Sequence, residues 1–227
     1  MTTTPTEKKD FLFRYVQQDI RKNLKLDKEA LYSTTDQVTA DKITRDILRY
    51  VPRKSTITDA TACIGGSTYS FIQHFSNVIA IEYDKQRFEY LQYNMSILSQ
   101  DLKSNIANLS NIIPYTDYSN KIDCRNGDAL IECTKQYQDA IFIDPPWGGP
   151  EYKTYTHVQL YLSNLPLSEV CRRLYTYTTY IILKVPVNFD EENFISSTKS
   201  FIEVIHKNYQ LRKMHVLIFR SIIHDQL

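Results

Sequence analysis

The chain of 227 residues carries 42% hydrophobic and 23% charged side chains, close to the globular average, which excludes a disordered chain, a coiled coil and a collagen. Its 27 basic and 26 acidic residues leave a net charge of +1, too little to coat nucleic acid through a broad basic surface, so any such contact has to be local. The longest apolar runs are strand length, with Tyr180 to Val187 broken by Lys184, and Met1 to Lys9 holds no apolar signal core. No membrane span is expected, and the expected place is inside the cell, nuclear or cytoplasmic.

Order is expected to begin soon after the small polar residues Met1 to Thr6. From Glu7 to Asn23 the apolar positions Phe11, Leu12, Tyr15, Val16 and Ile20 recur at helical spacing, and Thr35 or Asp36 can cap a second helix running to about Tyr50, which Pro52 ends. Strands then alternate with helices: Thr56 to Ala60 with a helix after Gly66, and Asn77 to Glu82 with a helix from about Asp84 to Asp101. Between Asp101 and Lys121 lies a polar stretch too long for an ordinary connection, read as an insertion over about 102–120. Ile122 to Arg125, Ala140 to Ile143 and Thr179 to Val185 are further strands. Phe201 to His206 and Lys213 to Phe219 pair as an antiparallel edge hairpin turning near Asn208. Apolar strands separated by amphipathic helices predict an α/β fold with a Rossmann-like, mostly parallel sheet covered on both faces.

Cys63, Cys124, Cys133 and Cys171 form no CxxC pair, and the five histidines show no ligand spacing, so neither a metal site nor a disulfide framework is suggested. The thiols are expected to be buried.

Chemistry concentrates where the strands end. The first strand delivers Asp59 into Ala60-Thr61-Ala62-Cys63-Ile64-Gly65-Gly66, an acidic residue followed by paired glycines that let backbone approach a bound nucleoside. The second strand ends in Glu82, about 20 residues on, where a carboxylate can take both hydroxyls of a ribose. Asn126-Gly127-Asp128 places a third carboxylate on the same rim, or a helix N-cap. The strand Ala140 to Ile143 delivers Asp144-Pro145-Pro146-Trp147. Two prolines fix the backbone, so the Asp144 side chain and the Pro145 carbonyl stand as acceptors for a planar amine, and Trp147 offers a flat face for the base that carries it. Holding a weakly nucleophilic amine in line with an electrophilic methyl supplies orientation without a strong base.

These segments resemble a class I S-adenosylmethionine-dependent methyltransferase. The longer run Pro145-Pro146-Trp147-Gly148-Gly149-Pro150-Glu151-Tyr152 resembles the trimethylguanosine synthase family, which methylates the exocyclic N2 of 7-methylguanosine RNA caps. Lys25-Leu26-Asp27-Lys28-Glu29 and Tyr32-Ser33-Thr34-Thr35 resemble that family's N-terminal extension. The resemblance implies a helical extension or lid over 1–52 and a methyltransferase core over 53–227. It implies S-adenosylmethionine as cofactor, held by Asp59, Thr61, Gly65, Glu82, Asp128 and Asp144. It implies capped RNA as partner to a monomer without metal. Asp144, Pro145 and Trp147 would be the catalytic set, with Ser33, Thr35, Trp147, Tyr152 and Lys8 or Lys9 holding the cap and its phosphates. The chain departs from the family at Cys63, where Gly is usual, at Asp144, where Ser is frequent, and at Val187, where Pro186 is followed by no Arg. Lys184 either compensates for that missing phosphate contact or is a solvated edge residue. An adenine N6 methyltransferase built on the same Asp-Pro-Pro-Trp, and a cap-binding module without turnover, are the alternatives.

Overall fold

In the computed structural model the described residues are 5–109 and 122–222. Four helices come first: α1 (Pro5–Leu12), α2 (Gln18–Asn23), α3 (Ala30–Ser33) and α4 (Gln37–Ile47). Asp36 caps α4, its carboxylate accepting from the Thr39 amide. The helix expected over 7–23 is two helices. The chain leaves helical geometry at Phe13, and the Arg21 guanidinium donates to the Phe13, Arg14 and Val16 carbonyls at the break. Tertiary packing overrides local periodicity here, because the bend lets Leu12, Phe13, Val16 and Leu24 all enter one core.

Strand and helix then alternate through β1 (Thr56–Asp59), α5 (Gly66–Ile72), β2 (Asn77–Glu82), α6 (Lys85–Leu109), β3 (Ile122–Asn126), α7 (Ala129–Cys133) and β4 (Gln138–Ile143). A short hairpin, β5 (Tyr161–Leu162) and β6 (Leu165–Pro166), leads into α8 (Leu167–Leu174), followed by β7 (Thr178–Pro186), α9 (Glu191–Thr198), β8 (Ile202–Asn208) and β9 (Met214–Ser221). Helix α6 runs eight residues beyond the expected end at Asp101, and the rest of the expected insertion, 110–121, lies outside the described residues.

The seven strands lie in the order β3-β2-β1-β4-β7-β9-β8. Strands β3, β2, β1, β4 and β7 are parallel, and β9 and β8 close the edge antiparallel, as the sequence predicts. Two apolar clusters cover the sheet. One joins Ile57, Val78, Ala80, Phe142 and Ile182 to α1, α2, α4, α5 and α6; the other joins Ile79, Ile81, Ile141, Ile143, Ile181 and Leu183 to α7, α8 and α9. Side chains alternate between the two faces along each strand. Asp59 is two residues after Ile57, Glu82 two after Ala80, Asp144 two after Phe142, and Lys184 two after Ile182, so all four project toward the face that the N-terminal helices cover. Among the described residues no helix is long and apolar enough to cross a membrane.

Candidate active site

The carboxyl ends of β1, β2 and β4 bring Asp59, Glu82 and Asp144 to one edge. Asp59 is 1% exposed. Its carboxylate accepts the Thr68 hydroxyl at 2.7 Å and the Thr61 amide at 3.4 Å. Burial pushes its pKa up to about 7 against those two hydrogen bonds, with Asp144 and Glu82 adding repulsion. Thr61 ties the first loop to the last one, its hydroxyl accepting the Asp144 amide at 2.8 Å.

The loop after β1 turns back at Cys63 and Gly65. Cys63 sits at φ 51°, a left-handed geometry that costs a side chain about 1 kcal/mol relative to glycine. Its Sγ lies 3.7 Å from the Thr34 hydroxyl, and burial pushes the thiol up to about 12, so it is no nucleophile. The expectation of four buried thiols holds for Cys133 and Cys171; Cys63, in the loop after β1, and Cys124, on the edge strand β3, are half-buried. Gly65, at φ 102°, opens α5.

The N-terminal segment closes this edge. A Cβ on Gly66 would lie 2.4 Å from the Thr35 carbonyl oxygen and 2.6 Å from the Thr34 methyl, so the segment rests directly on the glycine. Ser33, Thr35, Asp59, Thr61 and Asp144 line one pocket with free space of about 10 Å³, room for one water. Gly66→Ala is accordingly expected to cost about 1–3 kcal/mol through overpacking and to expose residues 25–36 to limited proteolysis.

Glu82 carries the loop through its carboxylate, accepting the Cys63 and Asp84 amides, each at 2.9 Å. Arg87 joins it to the N-terminal extension: the guanidinium is 3.4 Å from Glu82, 2.6 Å from Glu29 and 3.5 Å from Asp27. Asn94, wholly buried, accepts the Lys25 amide and donates to the carbonyls of Lys25 and Ile64, binding extension to loop. Neither Arg87 nor Asn94 stands out in the sequence, since a partner about 60 residues away leaves no local pattern. Asp128 is the N-cap of α7, accepting the Leu130 amide at 2.8 Å, while its neighbour Asn126 donates to the Glu82 and Tyr83 carbonyls and so keeps Asp128 at the same rim.

The Asp144 side differs from expectation. Lys184 is 5% exposed, neither a solvated edge residue nor free for phosphate: its Nζ lies 2.5 Å from Asp144 Oδ2 and 5.2 Å from the centre of the Trp147 ring. The cause is position, since β7 lies inside the sheet between β4 and β9. Burial raises the Asp144 pKa, opposed by the Lys184 ammonium, the Thr35 hydroxyl and the Trp147 indole. The indole N–H leans toward that carboxylate without reaching hydrogen-bond geometry and has no other partner among the described residues. Tyr152 meets Trp147 edge-on, ring centres 5.3 Å apart. Val187, at the family's Arg position, is 52% exposed.

The expected phosphate lysines part company. Lys9 donates to the Lys22 carbonyl at 3.0 Å, whereas the Lys8 ammonium lies over the rings of Phe11 and Tyr32, next to Ser33. A flat, amine-bearing ring against Trp147, with acceptors at Asp144 and Pro145 and a cationic group near Asp59, is what this edge can hold.

The family described as RNA cap guanine-N2 methyltransferase matches residues 54–218. An uncharacterized protein of Acanthamoeba polyphaga mimivirus is 31% identical over 174 residues, 74% of this chain and 59% of that one. Trimethylguanosine synthase of Schizosaccharomyces pombe is 28% identical over 132 residues, 56% of this chain and 47% of that one. The matched regions thus span 47% to 59% of the length of these relatives. Among solved structures, a putative methyltransferase from Porphyromonas gingivalis superposes with a TM-score of 0.64 at 14% identity over 92% of this chain and 47% of its own. A NADB-Rossmann superfamily protein of Streptococcus agalactiae gives 0.51 at 14% identity over 79% and 68%. These likenesses show a Rossmann-like fold.

Proposed function

This chain belongs to the RNA cap guanine-N2 methyltransferase family, and from that premise we propose that it methylates the exocyclic N2 of 7-methylguanosine RNA caps, giving 2,7-dimethyl or 2,2,7-trimethylguanosine. The observation that carries the reading is that Asp144 and Asp59 line one pocket with Thr61, Ser33 and Thr35, while Trp147 stands beside Asp144 over the Lys184 ammonium, an amine acceptor set against a nucleoside-type edge. S-adenosylmethionine, when bound, supplies an electrophilic methyl on a sulfonium. The residues fit it. Asp59 is a buried carboxylate with no cation against it among the described residues, and a cofactor bearing ammonium and sulfonium provides one. Asp59, Thr61 and Gly65 would hold the methionine part, Glu82 the ribose and Asp128 the adenine side.

Trp147 would stack on the 7-methylguanine, whose positive charge strengthens contact with an indole. Asp144 and the Pro145 carbonyl accept the two N–H groups of N2 and aim its lone pair at the methyl. As the N–C bond formed, the bond from the methyl to sulfur would break to leave a neutral thioether, and N2 would give up one proton, for which Asp144 is the acceptor at hand. Ser33, Thr35 and Tyr152 would border the base and its phosphates, and Lys8, rather than Lys9, would reach the phosphate chain.

The test is transfer from labelled S-adenosylmethionine to 7-methyl-GTP, GTP and an adenine oligonucleotide. Label in 7-methyl-GTP alone supports the reading. Label in adenine, or binding of 7-methyl-GTP with no transfer, overturns it.

A further inference from the structure

The Lys184–Asp144 pair is made by two residues 40 positions apart, on β7 and at the end of the neighbouring β4, and both are nearly removed from solvent. A lysine in an apolar strand interior has to be paired or displaced. Here its anionic partner is the residue at the amine-accepting position. We propose that Lys184 is the positioning residue of the acceptor site: its ammonium takes Oδ2 of Asp144, fixing the carboxylate rotamer so that the remaining oxygen alone faces the cleft for the substrate amine. This rests on the reading of Asp144 as the amine acceptor.

The geometry gives the pair three consequences. First, with Oδ2 held by the ammonium, Oδ1 is the oxygen left for an amine whose second N–H goes to the Pro145 carbonyl. Second, the ammonium opposes the burial that raises the Asp144 pKa and so favours the ionised acid, the form needed to receive the N2 proton. Third, Lys184 lies over the Trp147 ring, and Asp144 cancels the positive charge that would repel a cationic 7-methylguanine at the indole. The other charged groups along this edge are Asp59 from β1 and, beyond it, Glu82 from β2; the N-terminal segment contributes the neutral Thr35 hydroxyl. Both carboxylates add negative charge, so Lys184 is the cation that favours ionised Asp144, with the neutral Thr35 hydroxyl and Trp147 indole acting in the same direction.

Trp147 is the single tryptophan of the chain, and its fluorescence reports the charge on the carboxylate its N–H leans toward. In the ligand-free protein, a pH titration of that emission should show a transition that Asp144→Asn abolishes. Lys184→Met should move its midpoint up by about one pH unit or more, and Lys184→Arg should leave it near wild type. In transfer to 7-methyl-GTP, Lys184→Met should lower kcat by about a hundredfold with KM changed by less than about threefold, and Lys184→Arg should recover a tenth or more of the lost rate. A folded Lys184→Met protein with unmoved midpoint and wild-type kcat overturns the proposal. If wild type transfers nothing to a 7-methylated guanine, the functional reading fails by itself, and the fluorescence arm still decides whether Lys184 governs Asp144. If Lys184→Met does not fold, Lys184→Arg decides: a fixed rotamer requires retained titration with kcat within about tenfold of wild type, and a greater loss overturns it.

Discussion

Asp59→Asn is expected to strengthen the ligand-free fold at pH 8 while weakening S-adenosylmethionine binding by about a hundredfold or more. The wild-type carboxyl is held near pKa 7 by burial, well above the 3.8 of an exposed aspartate. Between about pH 4 and pH 7 the folded state therefore carries a proton that the unfolded chain has lost. Stability then falls as pH rises through that window, and above it the buried charge opposes folding by an amount on the order of 4 kcal/mol. Asparagine removes the charge and forfeits one accepted hydrogen bond, from either Thr68 or Thr61, so the net gain at pH 8 should be about 1–3 kcal/mol, visible as a rise in Tm over wild type that shrinks toward pH 5. Binding responds in the opposite sense. Wild-type affinity should increase as pH rises toward 7, where Asp59 ionises, and level off above it; the variant should show no such rise. Calorimetric titration from about pH 5.5 to 8.5 measures both curves, and equal slopes for the two proteins would remove Asp59 from the cofactor site.

Trp147→Ala is expected to lower kcat/KM for a 7-methylated cap by at least about a hundredfold while changing cofactor affinity less than about threefold. Base stacking on an aromatic side chain is worth about 1–3 kcal/mol, and a cationic base adds to it. Truncation also leaves Tyr152 without its edge contact and the Lys184–Asp144 pair without its cover. Trp147→Phe should restore part of the loss, since a smaller π face remains. Initial rates over a range of cap concentrations, with parallel binding of S-adenosylmethionine, separate the two effects. A uniform loss of both affinities would mean that the indole supports the fold rather than the base.

Much of this edge is legible in the sequence because parallel strands buried on both faces read as continuous apolar runs, and the residue after such a run is carried to the sheet's carboxyl edge. Asp59, Glu82 and Asp144 are recognisable in that way, and the strands bearing them end within one residue of expectation. What stays hidden depends on partners remote in the chain. Arg87 and Asn94 look like ordinary polar positions of α6 until the extension is laid against them. Lys184 carries one local signal, a charge inside an apolar strand, but its meaning requires knowing that β7 lies between β4 and β9. The break at Phe13 follows from the core that collects Leu12, Val16 and Leu24, which helical spacing alone does not contain. The run of α6 past Asp101 keeps Leu102, Ile106 and Leu109 at helical spacing, a continuation hidden when 102–120 is read as one polar insertion.

If N2 of a 7-methylated guanine is the atom methylated, the product itself shows it. The protein is incubated with 7-methylguanosine-capped RNA and S-adenosylmethionine, and the RNA is digested to nucleosides, each identified by mass and chromatography. The expected products are 2,7-dimethylguanosine or 2,2,7-trimethylguanosine, arising from the cap alone and absent when the RNA begins with unmethylated guanosine. A methyl group on adenine N6, or on guanine without prior 7-methylation, would contradict cap N2 methylation.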